Sequence, residues 1–244
     1  MTEWFKEWFA SEEYLNVYKH RDTGDAKSII SLILKNVSIP NKAKILDAAC
    51  GAGRHAIALA QKGYKVTAFD LSEPLVNKAK TLSNELNLNI NFFNADLRTV
   101  DFKERFSLIL NLFTSFGYFE NDEENFRFLT DSKKWLLPKG YFILDYLNMN
   151  YIIENHVPQS VKAMENKKVI ENRRFNKGRI EKEIIIHNGS KVETYNESVK
   201  LYSFNQIAEA AQNAGLTINK IFGDYKGNEF DEELSERLII IFKK

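Results

Sequence analysis

The chain has 244 residues, and 34 basic against 33 acidic side chains leave a formal charge of +1, with 44% hydrophobic and 27% charged residues. This balance and length suit one globular α/β domain, or one domain carrying an insertion, better than two equal domains. The near-neutral charge excludes an affinity built mainly on nucleic-acid phosphates or an anionic membrane surface, and the single cysteine, Cys50, excludes a disulfide framework and a multi-cysteine metal site.

In chain order, MTEWFKEWFA lacks the zones of a secretory signal, and no run approaches the ~18 apolar residues of a membrane span; the expectation is a cytoplasmic protein. Trp4, Phe5, Trp8 and Phe9, then Tyr14, Leu15 and Tyr18, recur at helical spacing and predict a pair of aromatic amphipathic helices. A helix over about 23–36 leads through Pro40 to KAKILDAAC, whose Ile45 and Leu46 begin a short buried strand. Gly51 and Gly53 open a helix that Gly63 stops. YKVTAFD reads as a strand ending in Asp70, and Ser72 with Pro74 starts a helix whose Leu75, Ala79, Leu82 and Leu86 form one apolar stripe. INFF is the third strand and FSLILNLF the fourth. Asn121 and Glu124 predict a capping box for a helix running to about Leu137, after which Pro138-Lys139-Gly140 turns the chain into the fifth strand, YFILDYL.

Strands separated by helices of this length need crossover connections, which means a parallel sheet with helices on both faces. After about residue 157 the pattern changes. KVIENRRF, RIEKEIIIHN and KVETYNESVKLY are β-rich, with hairpin signals at Lys177-Gly178 and Asn188-Gly189, so 157–202 reads as an antiparallel insertion. A helix capped by Ser203 and stopped by Gly215 follows, and TINKIFGDY and RLIIIFKK close the chain as a strand pair joined by a long loop, Gly223 to Glu236.

ILDAACGAGRHA carries the chemistry. It places small residues at a strand-to-helix turn, where backbone can approach a ligand and a helix N-terminus offers free N–H groups. Gly51, Gly53 and Ala56 match G-x-G-x-x-A with Asp70 at the distance of a ribose-binding acid, which allows a dinucleotide site and an NAD-dependent oxidoreductase. Against it, Asp47 would set negative charge beside the phosphates such a loop attracts.

The stretch resembles motif I of class I S-adenosylmethionine-dependent methyltransferases, with Ala49 in place of the first glycine and Gly51 and Gly53 holding the other two. The resemblance covers roughly residues 40–150 and 203–244 and continues through Asp70, the NADL segment with Asp96, LNLFTSFGYF, LLPKGYFILDYL and the closing strand pair. It implies a seven-stranded Rossmann-like α/β sheet, parallel with an antiparallel last strand. The division would be an N-terminal helical lid (1–38), a cofactor-binding domain (39–156 and 203–244) and the β insertion (157–202). S-adenosylmethionine would be the cofactor. Asp47 and the Ala49–Gly53 backbone would face its homocysteine part, Asp70 would accept from both ribose hydroxyls, and Leu71 would pack on the adenine. Asp96 would accept from the adenine amino group, the Leu97 N–H would bond a ring nitrogen, and Asn111 would sit near the methyl group. Tyr14 and Tyr18 would line the lid, with Arg21 pairing with the methionyl carboxylate.

The acceptor is constrained by exclusion. Cys50 lies in the cofactor loop and leaves no nucleophile for C5-pyrimidine methylation. Asn111-Leu112-Phe113-Thr114 stands where base-amino methyltransferases carry a Pro-Pro clamp. The basic residues of the insertion (Lys162, Lys167, Lys168, Arg173, Arg174, Lys177, Arg179 and Lys182) alternate with Glu165, Glu171, Glu181 and Glu183, which suggests a solvated sheet face rather than an RNA patch. An insertion after strand five resembles the sugar-amine and glycine N-methyltransferase type. This implies a small-metabolite amine or hydroxyl acceptor in a pocket lined by Phe113, Phe116, Tyr118, Tyr146 and Asn148. Tyr118 and His187 are the candidate catalytic groups. An RNA methyltransferase and a non-catalytic cofactor-binding module remain as alternatives. His20, His55, His156 and His187 are scattered, and no metal site is expected. A monomer or a homodimer fits the sequence equally.

Overall fold

The computed structural model describes residues 3–18, 23–164 and 166–244. Helices α1 (Trp4–Ala10), α2 (Glu12–Val17) and α3 (Thr23–Asn36) precede β1 (Lys44–Ala48), α4 (Arg54–Gln61), β2 (Lys65–Asp70), α5 (Glu73–Glu85) and β3 (Asn91–Asn94). Then come β4 (Phe106–Asn111), α6 (Asp122–Trp135), β5 (Leu136–Leu147), α7 (Met149–Asn155), and the strands β6 (Gln159–Met164), β7 (Lys167–Asn176), β8 (Arg179–Asn188) and β9 (Lys191–Lys200). Helix α8 (Phe204–Asn213) and strands β10 (Thr217–Phe222) and β11 (Arg237–Lys243) complete the chain.

The main sheet has the order β10-β11-β5-β4-β1-β2-β3. Strands β1 to β5 pair in parallel, and β11 is antiparallel to both β5 and β10. The last strand alone therefore opposes the rest, and β10 runs with them. A central strand covered on both sides reads as a continuous apolar run, and every residue of β4 is buried. Leu108 and Leu110 meet Ile30, Ile33, Leu59 and Val76 on one side, while Ile109 meets Phe69, Trp135, Phe142 and Phe242 on the other.

Local signals set several boundaries. Ser72 caps α5 by accepting the Leu75 N–H, and Ser203 with Gln206 forms a complete capping box on α8. Asn121 accepts the Glu124 N–H, but the Glu124 carboxylate meets the Asn121 side-chain amide and not its backbone, so only half the expected box forms. Leu82 and Leu86 are 37% and 43% exposed. The buried face of α5 is Leu75, Val76, Ala79 and Ser83, one step round the helix from the expected stripe.

Pro138-Lys139-Gly140 lies inside β5, where Phe106 pairs with Leu136 but Leu108 pairs with Tyr141; the expected turn is a bulge, with Lys139 at φ 63°. Strand β4 ends at Asn111, short of Phe113, because Phe113 and Thr114 turn left-handed. Helix α7 and strand β6 carry no strong periodicity in the sequence and were not expected.

Gly53 shows how tightly the first turn is packed. Its φ is +79°, and a Cβ there would lie 2.8 Å from Ala79 Cβ and 2.9 Å from Phe92 Cζ. Gly53→Ala combines a left-handed penalty with overpacking, and is expected to cost about 2–4 kcal/mol in urea unfolding at neutral pH.

The second sheet is β6-β7-β8-β9, wholly antiparallel. Asn176 pairs with Arg179 across the expected Lys177-Gly178 turn, whereas Asn188 pairs with Lys191, so the second turn is Gly189-Ser190, one residue later than expected. Val169, Ile184 and Ile186 on one face meet Trp8, Val17 and Tyr18, so the N-terminal helices are packed onto the insertion. Among the described residues no helix is long and apolar enough to cross a membrane.

Candidate active site

A cavity of about 610 Å³ opens at the carboxyl edge of β1, β2 and β4, where open α/β sheets bind ligands. Its floor is the turn after β1. Ala49 and Gly51 have φ of 55° and 54°, and a Cβ on Gly51 would meet nothing within 4 Å, so this backbone faces open space that a ligand can enter. Ala49 adopts the left-handed turn that the missing glycine would have taken, and the loop is kept despite the substitution.

Asp70 organises this floor. One carboxylate oxygen accepts the Gly51 N–H at 2.7 Å and the other the Ser72 N–H at 2.9 Å. Burial pushes its pKa up while those N–H groups oppose the shift. The Leu71 N–H also acts on this carboxylate, and Asp70 lines the cavity, where it can accept a further donor. Leu71, Asp96 and Leu97 continue the wall, and Tyr14, Tyr18, Phe113 and Tyr118 also line it. Arg21 lies outside the described residues.

The remaining expected site residues lie elsewhere. Asp47 is buried beneath the loop with Oδ2 unpartnered, and Gly53 is a packing position. Asn111 is fully buried and borders a small adjoining cavity with Phe116 and Phe128, not the main one. Phe116 belongs to the core against Tyr146 and Tyr202. The Tyr146 hydroxyl donates to the Lys200 carbonyl. Asn148 caps α7 and donates to the Asp231, Glu232 and Ser235 carbonyls, so it clamps the loop before β11. His187 sits towards the Gly189-Ser190 turn of the insertion, away from the cavity lining.

Asp96 does line the cavity, but Arg98 holds both of its oxygens through Nε, Nη2 and the backbone N–H. Burial raises its pKa and the Arg98 bonds outweigh it, leaving the carboxyl below its usual range. Arg98 also pairs with Glu3 at 2.6 Å and lies 4.7 Å from the Phe119 ring centroid, which ties α1 to this wall.

The roof holds what the sequence did not reveal. Arg173, Lys182 and Glu197 are register partners across β7, β8 and β9, and all three line the cavity. Glu197 accepts from Trp8 Nε1 at 2.7 Å, the Tyr18 hydroxyl at 2.6 Å and Lys182 Nζ at 2.6 Å. Burial raises its pKa, and Lys182 with these donors holds it below the usual value. Arg173 pairs with buried Glu171. The alternating charges had suggested a solvated face; every second residue of β8 instead points inward, and the charges there are paired. Arg54, on the first turn of α4, stands 5.0 Å from the Phe113 ring centroid.

Two buried floor groups titrate in opposite senses. Burial raises the Asp47 pKa from 3.8 to about 7 and lowers that of His55 from 6.5 to about 3. Asp47 favours folding below pH 3.8, and this contribution is lost as pH rises through about 7. His55 favours folding above 6.5, and its contribution is lost as pH falls towards 3. Between these values the terms offset. Asp47→Asn removes one of them, so its stability is expected to gain on the wild type by about 1.4 kcal/mol per pH unit from pH 4 to 7. Urea unfolding of the ligand-free proteins at half-unit pH steps checks this.

Residues 45–140 match the model of a family described as "Methyltransferase domain". The protein YqeM of Bacillus subtilis (strain 168), which carries a methyltransferase name, is 26% identical over 218 residues, 85% of this chain and 86% of that protein. A glycine/sarcosine N-methyltransferase of Halorhodospira halochloris is 28% identical over 153 residues, 59% of this chain and 57% of the relative. A crystal structure of an S-adenosylmethionine-dependent methyltransferase from Clostridium acetobutylicum ATCC 824 superposes with a TM-score of 0.82 at 17% identity, covering 95% of this chain and 97% of that one.

A sheet of this order, a small-residue turn at its carboxyl edge and a matching domain model define a nucleoside-cofactor transferase. Residues 45–140 form a methyltransferase domain, and the chain, an S-adenosylmethionine-dependent methyltransferase, has the fold of the class I enzymes. The cofactor is S-adenosylmethionine, and the floor suits it: bare Gly51 backbone, a carboxylate that can accept from a diol, and the apolar Leu71 and Leu97. When bound, it supplies a methyl group activated by a positive sulfonium. Among the described residues no group of three His, Cys, Asp or Glu is placed to hold a metal ion.

Proposed function

We propose that the chain transfers the methyl group to an amine or hydroxyl of a small metabolite. The observation that carries this reading is the size and lining of the cavity. Helices α1 and α2, the insertion and the segment after β4 all contribute to its walls, and a volume of about 610 Å³ is in the range of small-molecule sites. Its lining is mostly aromatic and aliphatic, with Arg173, Lys182 and Glu197 as polar anchors. The name of the Halorhodospira relative, a glycine/sarcosine N-methyltransferase, is in keeping with such an acceptor.

In this reading Asp70 holds the ribose diol, Leu71 and Leu97 flank the adenine, and the Ala49–Gly51 backbone faces the amino-acid tail. Tyr14, Tyr18, Phe113 and Tyr118 exclude water and line the space around the reacting groups. An in-line displacement draws most of its rate from alignment and dryness, so an amine acceptor needs no strong base beyond loss of its proton.

The test is incubation with methyl-tritiated S-adenosylmethionine and, separately, a metabolite extract below 1 kDa and total RNA of the source cells. Label in the small-molecule fraction is the expected result. Label confined to acid-precipitable RNA would replace this reading with nucleic-acid methylation.

A further inference from the structure

We infer that Asp145 is a positioning residue for methyl transfer, acting through two consecutive left-handed residues where the chain leaves β4. Phe113 and Thr114 have φ of 62° and 63°. Neither is glycine, and for an aromatic or a β-branched side chain this region is a true outlier, held only where the surroundings over-determine it. Both residues line the cavity, as does Ser115 after them. They line the same cavity as the Gly51–Asp70 floor and the Lys182–Glu197 roof.

The restraint is a single carboxylate at the end of β5. Asp145 is 0% exposed and does not line the cavity. Its Oδ2 accepts the Phe113 N–H at 2.9 Å and the Tyr225 hydroxyl at 2.9 Å. Its Oδ1 accepts Arg237 Nε at 2.9 Å and Nη2 at 2.6 Å. Its own carbonyl accepts the Thr114 N–H at 3.0 Å, and Arg237 Nη2 reaches on to Thr114 Oγ1 at 3.0 Å. Four donors on two oxygens fill the carboxylate's usual lone-pair sites. They come from the segment after β4, from β11 and from the loop between β10 and β11. Both strained residues are thus held at their N–H groups by the same aspartate, and Thr114 is held again at its hydroxyl by Arg237.

Since Asp145 does not reach the cavity, whatever it contributes passes through the cavity-lining residues it holds, Phe113, Thr114 and Arg237. Asn in its place fills the same volume but has only one acceptor oxygen for two sets of donors, and its amide N–H₂ must face either the Phe113 N–H or the Arg237 guanidinium. The left-handed pair is then expected to relax. Alignment in an in-line transfer is sensitive on this scale, a misplacement of about 1 Å costing roughly 100-fold in rate.

The experiment uses Asp145→Asn, alone and combined with Thr114→Asn, asparagine being enriched in the left-handed region. With S-adenosylhomocysteine bound, Asp145→Asn is expected to speed amide exchange at Phe113 and Thr114 by about 10-fold or more, with exchange in β1 and β2 unchanged. The dissociation constant for S-adenosylhomocysteine should stay within about threefold of wild type, as the carboxylate touches none of the floor residues. Tritium transfer to the metabolite extract at saturating S-adenosylmethionine should fall about 100-fold with KM for S-adenosylmethionine unchanged. Thr114→Asn should restore protection and at least a tenth of the lost rate. Unchanged exchange at 113 and 114, a parallel loss of cofactor binding, or no recovery in the double variant would overturn the inference. If even the wild type labels no metabolite, the acceptor proposal fails while the exchange measurement still decides the role of Asp145.

Discussion

Replacing Arg179 with alanine is expected to destabilise the fold by about 3–5 kcal/mol and to lower Tm by roughly 6–15 °C, without removing any residue from the cavity wall. Arg179 is 9% exposed at the start of β8. Its Nε donates to Ser198 Oγ at 2.7 Å, Nη1 to the Phe119 carbonyl at 3.0 Å, and Nη2 to the carbonyls of Gly117 and Tyr118 at 3.0 Å and Ser198 at 2.9 Å. Three consecutive carbonyls before α6 are thus gathered by one guanidinium, and Lys200 N–H reinforces them at the Gly117 carbonyl at 2.8 Å. Burial lowers the Arg179 pKa, a sign that the charge is retained against a desolvation cost. Alanine removes the guanidinium from the Tyr118 and Phe119 carbonyls and leaves Gly117 with the Lys200 N–H alone, and a lysine, with three donors and no planar fork, should recover less than half the loss. Thermal unfolding of the three proteins measures this. Because Tyr118 rides on the gathered segment, the alanine variant should also lose ordered aromatic packing in near-ultraviolet circular dichroism.

The second large effect is on ligand affinity. Asp70→Ala is expected to weaken S-adenosylmethionine binding by about 100-fold or more, since hydrogen bonds to a charged group contribute about 1.5–3 kcal/mol each and the proposed diol contact involves two. The alanine also releases the Gly51 N–H, so the loop itself loses its tether. Asp70→Asn keeps one acceptor oxygen and should fall between the two in calorimetric titration. Equal affinity in wild type and Asp70→Ala would remove the aspartate from the cofactor site.

The parallel core was legible because its signals are local. Strand-length apolar runs, Ser72 and Ser203 caps and paired glycines each fix an element from neighbouring residues alone. What escaped depends on partners far apart in sequence. Arg173, Arg179 and Lys182 looked like parts of one solvated basic face, yet two point into the cavity and one is buried against carbonyls some 60 residues away. Nothing in RRFNKGRIEK separates these fates; the period-2 alternation would have sorted Arg173 from Arg174, but only once the covered face was known. Asn111, Tyr146 and Asn148 were expected near ligand from the family resemblance. The structure spends them instead on the Ala48 and Lys200 carbonyls and on the loop before β11. Asp145 and Arg237 were invisible for the same reason: an acid in one strand and a base 92 residues later reveal nothing until the sheet sets them side by side.

Ser72 connects the two ends of this architecture. Its N–H is held by Asp70, its Oγ accepts from Leu75, and the same hydroxyl donates to the Phe9 carbonyl at 2.7 Å. The seam between the N-terminal helices and the main sheet therefore shares an atom chain with the Asp70 carboxylate that lines the cavity. By linkage, any factor that ligand binding adds to the attachment of residues 3–18 is returned by that attachment to the ligand's affinity.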